Sequence, residues 1–244
     1  QMPNNNLKWE STYTGNIGVD FELSEGRIGG SLELYSMKTK DLLVQRSLPA
    51  MTGFPSVWTN LGATTNKGAE ITLNTINIKS RAFEWSTNFV FSQNKNAIRH
   101  LYYSDADGDG KEDDDINNRW FIGQPVNVAY DYVFDGIYQK GDTYPPGYKA
   151  GDVRVKDLNG DGNITAAADR TVIGQTGQPK YRWGINNTFE YGNFSLNVFI
   201  NGMQGWISSI DLVGNGLQND RNFNRIDHGW WTEENASNSM PSLI

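Results

Sequence analysis

The sequence predicts an all-β chain: an antiparallel transmembrane β-barrel fragment of about six strands, with short periplasmic turns and long extracellular loops. Three observations carry this prediction. Apolar and polar residues alternate over long stretches, those stretches pair into hairpins, and the connections within and between hairpins differ greatly in length.

The first element runs from Leu7 to Leu23. Its odd positions read Leu7, Trp9, Ser11, Tyr13, Gly15, Ile17, Val19, Phe21 and Leu23, while its even positions carry no large apolar group. Period two is the strand signature. At about 3.3 Å per residue the stretch reaches roughly 55 Å, whereas an ordinary strand has about five or six residues. After the turn Ser24-Glu25-Gly26-Arg27 a second element alternates Ile28, Gly30, Leu32 and Leu34 with Gly29, Ser31, Glu33 and Tyr35. A third sets Ala69, Ile71, Leu73 and Thr75 against Glu70, Thr72 and Asn74. The fourth follows a turn near 77–80 and places Phe83, Trp85, Thr87, Phe89 and Phe91 on one side. The fifth, Trp183 to Tyr191, turns through Gly192-Asn193 into the sixth, Phe194 to Asn201.

Turns inside the hairpins are short, but the links between them are expected to span residues 36–68, 92–181 and 202 onward. Short turns at one end and long loops at the other describe a bacterial outer-membrane barrel; a soluble sandwich would have shorter strands and no consistent asymmetry. The apolar faces then meet lipid, with Trp9, Tyr13, Trp85, Trp183 and Tyr191 near strand ends as an aromatic girdle. Glu10, Asp20, Glu22, Glu33, Glu70 and Glu84 would line a wet lumen; in a soluble sheet they would be the solvated side.

Composition narrows the function classes. The 244 residues contain no Cys, which excludes disulfides, thiolate metal sites and a cysteine nucleophile. A net charge of −7, with six Asp and one Glu against one Lys in residues 105–115, argues against nucleic-acid binding. No stretch reaches the roughly 18 apolar residues of a membrane-spanning helix, and no signal peptide opens the chain. Neither absence bears on a barrel, whose strands alternate.

Two Asp-rich segments have the opening of a calcium loop. In DADGDGKEDDD, Asp105, Asp107, Asp109, the Lys111 carbonyl and Asp113 occupy loop positions one, three, five, seven and nine, with Gly110 at the sixth. In DLNGDGNITAAAD, Asp157, Asn159, Asp161 and the Asn163 carbonyl do the same, with Gly162 at the turn. Neither has the closing Glu: the twelfth residues are Ile116 and Ala168, and Asp169 is the candidate replacement in the second loop. Flanking amphipathic helices are missing, so neither is an EF-hand. The alternatives are a structural calcium ion or Asx-rich turns held by side-chain to backbone hydrogen bonds.

No catalytic constellation stands out. His100 and His228 are far apart and lack metal or protease spacing, no GxSxG or phosphate loop occurs, and no carboxylate pair singles itself out as acid and nucleophile. The chain is therefore read as a non-enzyme. Trp120, Tyr130, Tyr132, Phe134, Tyr138, Tyr144 and Tyr148 crowd the long loop, where they pack or meet a partner; Trp206, Trp230 and Trp231 invite the same reading.

Several stretches carry a resemblance: LKWE at 7–10, NIGVDFEL at 16–23, KTKDLL at 38–43, TNLGATTNKGAEITL at 59–73, FSQNKNAI at 91–98, IGQPVNVAYDYVFDGIYQ at 122–139 and the run from Gly151 to Gly205. In this order they resemble SusC/RagA-type TonB-dependent outer-membrane transporters of Bacteroidetes. The resemblance implies a 22-stranded barrel of which residues 1–244 form a central to C-terminal part, with plug domain and final strands absent. Six strands alone cannot close, since the smallest barrels have about eight. It further implies import of oligosaccharides or peptides, a SusD-like surface lipoprotein as lid, TonB acting through the plug, and contact with outer-membrane lipid. Residues 92–181 become one large extracellular loop region holding both Asp-rich loops. The rival reading is a secreted or surface-attached calcium-stabilised β-domain that binds glycans, and a glycoside hydrolase on a β-scaffold is a third.

Overall fold

A computed structural model describes residues 2–208 and 229–242. The chain divides into two compact units, residues 1–128 with 175–206 and residues 129–174 with 207–244.

The first unit is built on one antiparallel sheet. Its strands are β1 (Ser11–Leu23), β2 (Ile28–Ser47), β3 (Ser56–Lys79), β4 (Phe83–His100), and, later in the chain, β9 (Tyr181–Tyr191) and β10 (Phe194–Gln204). They lie side by side in the order β1-β2-β3-β4-β9-β10. All six expected strands are present in the three expected hairpins. The second unit carries two short two-stranded sheets, β5 (Val128–Tyr132) with β8 (Arg170–Gln175) and β6 (Phe134–Ile137) with β7 (Val153–Val155).

Strand length is where sequence and structure part. β2 runs on to Ser47 and β3 begins at Ser56, so the link expected over residues 36–68 shrinks to 48–55, which contains a one-turn 3-10 helix, Ala50–Thr52. β4 continues to His100. The reason is physical: beyond Ser36 the alternation between apolar and polar residues fades, but the backbone ladder does not need it. Conversely, Leu7–Glu10 lies outside β1. Asn60 holds that segment instead, accepting from the Lys8 N–H at 2.9 Å and donating to the Lys8 and Asp41 carbonyls.

Turns fall as the hairpin rule requires. Residues 24–27 close β1 onto β2 with an Arg27 N–H to Ser24 carbonyl bond of 3.2 Å. Gly192 opens the two-residue β9–β10 turn at φ +57°, a left-handed position that favours glycine at the first place of a tight hairpin. These turns and residues 80–82 join strands at one end of the sheet; residues 48–55 join β2 to β3 at the other, where β4 also ends and β9 begins.

The register assembles a single apolar face. Val19, Leu32, Ile71, Phe91 and Trp183 form one row across neighbouring strands, and Phe21, Gly30, Leu73, Phe89, Ile185 and Ile200 form the next. Ile17 is 68% exposed and Leu196 59%, so this face is not the interior of a two-layer sandwich. Toward the short turns Trp85 stacks on Phe189 with ring centroids 5.7 Å apart, and Tyr191 and Phe194 are exposed beside them. At the long-loop end a small core of Ile98, Leu101 and Trp120 forms, with Leu42, Val44 and Ile122 packed against it.

Candidate functional site

Opposite the apolar face lies a wet one. Asp20, Glu22, Glu33, Glu70, Glu84 and Glu190 all stand on it, with Arg182 as a cation in the row of Glu33, Glu70 and Ser92. Glu33 and Glu70 are directly opposite each other, a like-charge placement that is unfavourable unless water solvates both. Asn74, Asn88 and Asn186 form a ladder across three strands, and the Asn88 amide donates to Asn74 Oδ1 at 2.7 Å. Tyr35 crosses the same face: its ring covers Gly68 on β3, and its hydroxyl accepts from the Asn94 amide at 2.7 Å.

Polar groups on the apolar side are satisfied among themselves. Asn187 Oδ1 accepts from Trp85 Nε1 at 3.1 Å and from the Thr87 hydroxyl at 2.8 Å, and Asn77 donates to Thr87 at 2.7 Å. A lipid-facing surface tolerates polar atoms when they find such partners.

The two Asp-rich loops share one scaffold. Asp105 accepts from the Gly108 and Gly110 N–H groups at 2.8 and 3.1 Å; Asp157 accepts from Gly160 and Gly162 at 2.7 and 2.8 Å. Asp107 and Asn159 each take the N–H two residues on, as do Asp109 and Asp161, whose donors are Lys111 and Asn163. Each loop is then closed by a carboxylate on the N–H of its second residue: Asp113 on Ala106 at 2.8 Å, and Asp169 on Leu158 at 2.9 Å. Those closing residues sit at the ninth and thirteenth positions, so the spacing of a calcium loop did not identify their common job. Asp169 is fully buried and its other oxygen accepts from the Thr165 N–H at 2.7 Å. Carboxylate oxygens of Asp105, Asp107 and Asp109 lie within 4.8 Å of one another. The Lys111 ammonium, 3.5 Å from Asp109, offsets part of that charge. The Asn163 N–H, then the Asn159 amide, hold the Asp161 carboxyl below its ordinary range.

The rest of the acidic run is structural. Asp114 accepts from the Ile122 N–H at 2.6 Å. Asp115 is buried and receives Asn118, the Tyr102 hydroxyl and Arg46, whose Nε is 3.4 Å away. Burial foremost pushes the Tyr102 hydroxyl pKa up. Arg46 also lies over the Tyr102 ring, 4.4 Å from its centre. The arrangement pins the start of the long loop to the end of β2, and no spacing rule announced it because its members come from three separate segments.

His100 ends β4, bonded to Glu112 at 3.0 Å and stacked on Tyr103. His228 lies outside the described residues. Among the loop aromatics, Trp120 joins the small core. In the second unit Tyr138 is buried against Tyr144 and Tyr148, and Trp231 is buried and donates to Gln139 at 3.0 Å. Packing is thus the visible role of Trp120, Tyr138 and Trp231, whereas Phe134, Tyr148 and Trp206 are exposed. A cleft of about 610 Å³ in that unit is lined by Asp135, Tyr138, Arg154 and the Asp157 and Gly162 of the second Asp-rich loop.

A long-stranded sheet, apolar outside and acidic inside, with short turns at one end and long loops at the other, is the wall of an outer-membrane β-barrel. Residues 1–201 match the family model described as TonB dependent receptor-like, beta-barrel, and the chain belongs to that family. TonB-dependent receptor P3 of Formosa agariphila is 35% identical over 83% of this chain and 21% of its own length. TonB-dependent receptor SusC of Bacteroides thetaiotaomicron is 30% identical over 81% of the chain and 20% of its own. A solved structure of the RagAB peptide transporter superposes over 99% of the chain and 27% of its own, with TM-score 0.70 at 20% identity, a likeness of fold. The chain therefore spans about a fifth to a quarter of these relatives. They are receptors rather than enzymes, and the family places the chain in the outer membrane.

Proposed function

We propose that the chain forms part of the wall and outer loops of a SusC-like transporter that imports an oligosaccharide or a peptide. In this reading a SusD-like surface lipoprotein engages the outer loops, and TonB supplies energy through a plug domain. The observation that carries it is the wet sheet face, where six carboxylates and a ladder of asparagines offer hydrogen bonds to a hydrophilic solute. The RagAB neighbours, described as a peptide transporter, support a peptide; the SusC-type resemblance supports an oligosaccharide. Cells lacking the intact receptor should lose accumulation of one labelled class, oligopeptides or oligosaccharides, while retaining the other. If neither class accumulates less, the transport reading falls.

Within the link between β4 and β9, which the longer β4 narrows from the expected 92–181 to residues 101–180, the same reading gives the Asp-rich loops a structural calcium each. Asp105, Asp107, Asp109, the Lys111 carbonyl and Asp113 would hold one; Asp157, Asn159, Asp161, the Asn163 carbonyl and Asp169 the other. Calcium would cross-link segments that have little core of their own. Titration calorimetry of the calcium-stripped protein should show two sites preferring calcium over magnesium. Asp105→Ala with Asp109→Ala should remove one and Asp157→Ala with Asp161→Ala the other. A flat trace would leave the hydrogen-bonded turns alone.

A further inference from the structure

The lipid-facing side of the sheet changes character at its outer end. Above the last apolar row, Ile17–Leu34–Ala69, comes the row Gly15–Ser36–Lys67–Lys95, then Tyr13–Lys38–Thr65–Ala97, then Ser11–Lys40–Ala63. Arg99 joins them, its Nε donating to the Thr65 hydroxyl at 2.9 Å. Lys40 reaches back over the Tyr13 ring, 5.9 Å from its centre. Five cations thus share one face at the outer end of the sheet, over three successive rows: Lys67 and Lys95, then Lys38, then Lys40 and Arg99. All five are exposed, and among the described residues none makes an ion pair. On β1, on β2 up to Lys40, on β3 from Ala63 and on β4, every Asp and Glu stands on the opposite face.

The level is set by geometry. From the girdle residue Trp85 to Lys95 is roughly 33 Å along β4 at about 3.3 Å per residue, which a barrel tilt of about 40° reduces to roughly 25 Å along the membrane normal. That is the height of the hydrocarbon band. The cations therefore stand in the headgroup layer of the outer leaflet, where lysine and arginine stems extend along apolar surface and put their charges in the polar layer. Cations on a lipid-facing strand are costly at the midplane and nearly free at this depth. A cluster without carboxylates is complementary to multiply charged anions.

We propose that this basic rim binds the phosphate groups of a phosphorylated glycolipid of the outer leaflet, a headgroup of the lipid A kind. Tyr13 and the facing lysines form a surface against which a phosphate and the adjoining sugar can lie, with Lys67 and Lys95 side by side as the centre of charge. The proposal rests on the outer-membrane placement of the sheet, and it adds a lipid-selective site on the barrel exterior, independent of the transported solute.

The test uses the intact receptor purified from outer membranes in a mild detergent. Phosphorylated lipid A should raise its melting temperature and bind saturably, whereas dephosphorylated lipid A, and inorganic phosphate at equal phosphate concentration, should not. Each neutralised cation should weaken binding by roughly fivefold, so Lys67→Gln with Lys95→Gln should weaken it roughly thirtyfold. Lys79→Gln, at the short-turn end, should leave binding unchanged. Equal binding of the two lipid A forms, an equal shift with inorganic phosphate, or an unaltered double variant would each overturn the proposal. The two lipid forms are compared on the wild-type protein, so the result does not depend on a variant folding. Partition of the intact protein into the aqueous phase without detergent would instead remove the membrane placement beneath the proposal.

Discussion

Glu112 sits among acidic neighbours, yet its surroundings favour its charge. Burial raises its pKa, but N–H donation from Tyr103, the hydrogen bond with His100 and N–H donation from Leu101 outweigh this, and the carboxyl is held below the usual range. A depressed folded-state pKa contributes stability that is present above the unfolded value, near 4.3, and lost as pH falls through the folded one. Glu112→Gln should therefore be less stable than wild type at neutral pH, by about 1–2 kcal/mol for the weakened charge-assisted bonds. The gap should close below pH about 4. Melting curves of both proteins across that range check it; a gap that persists unchanged at low pH would mean that shape, not charge, holds the turn at residues 101–103.

At the scale of the strand, the pairing of Tyr35 with Gly68 shows what a pattern of alternation cannot contain. A Cβ on residue 68 would collide with the Tyr35 ring and the Gln93 carbonyl. Gly68 thus leaves the space that lets the ring lie across β3 and reach Asn94. Gly68→Val should displace the ring and cost about 1–3 kcal/mol, as overfilled sites do. Hydrogen exchange should then rise in β3 and β4 around residues 68 and 94 while the β9–β10 hairpin stays protected; uniform loosening of all six strands would count against a local fit. The face of every long strand was legible in the sequence because Ile17, Leu32, Ile71, Phe89 and Leu196 obey period two. Extents were not: Lys38 and Lys40 alternate with Met37 and Thr39 beyond the hydrocarbon, where neither face must be apolar, so the ladder there leaves no pattern. The Asp-rich loops were legible as turns from Gly110 and Gly162. Their closing carboxylates, Asp113 and Asp169, answer to a shared geometry at unequal spacings.

Across the whole sheet, charge is sorted by side and by height. Carboxylates occupy the wet face from its short-turn end up to the row of Glu33 and Glu70, whereas the cations of the dry face collect at its outer end. No soluble sheet needs both rules together. A soluble sheet would hide its apolar side under a second layer, and Ile17, Val19 and Leu196 are instead more than half exposed. The two faces can be tested with neighbouring residues at one height. Phe89 lies between Leu73 and Ile185 on the apolar side, and Asn88 lies between Asn74 and Asn186 on the wet side. Phe89→Arg places a charge in hydrocarbon and should destabilise the intact receptor in lipid bilayers by about 2–4 kcal/mol. Asn88→Arg should cost far less, because its charge meets water and the carboxylates of the lumen. Urea unfolding in bilayers reads the difference directly. Equal costs at the two positions would mean that water reaches both sides of the sheet. The match of the roughly 25 Å apolar band to a membrane would then be coincidental.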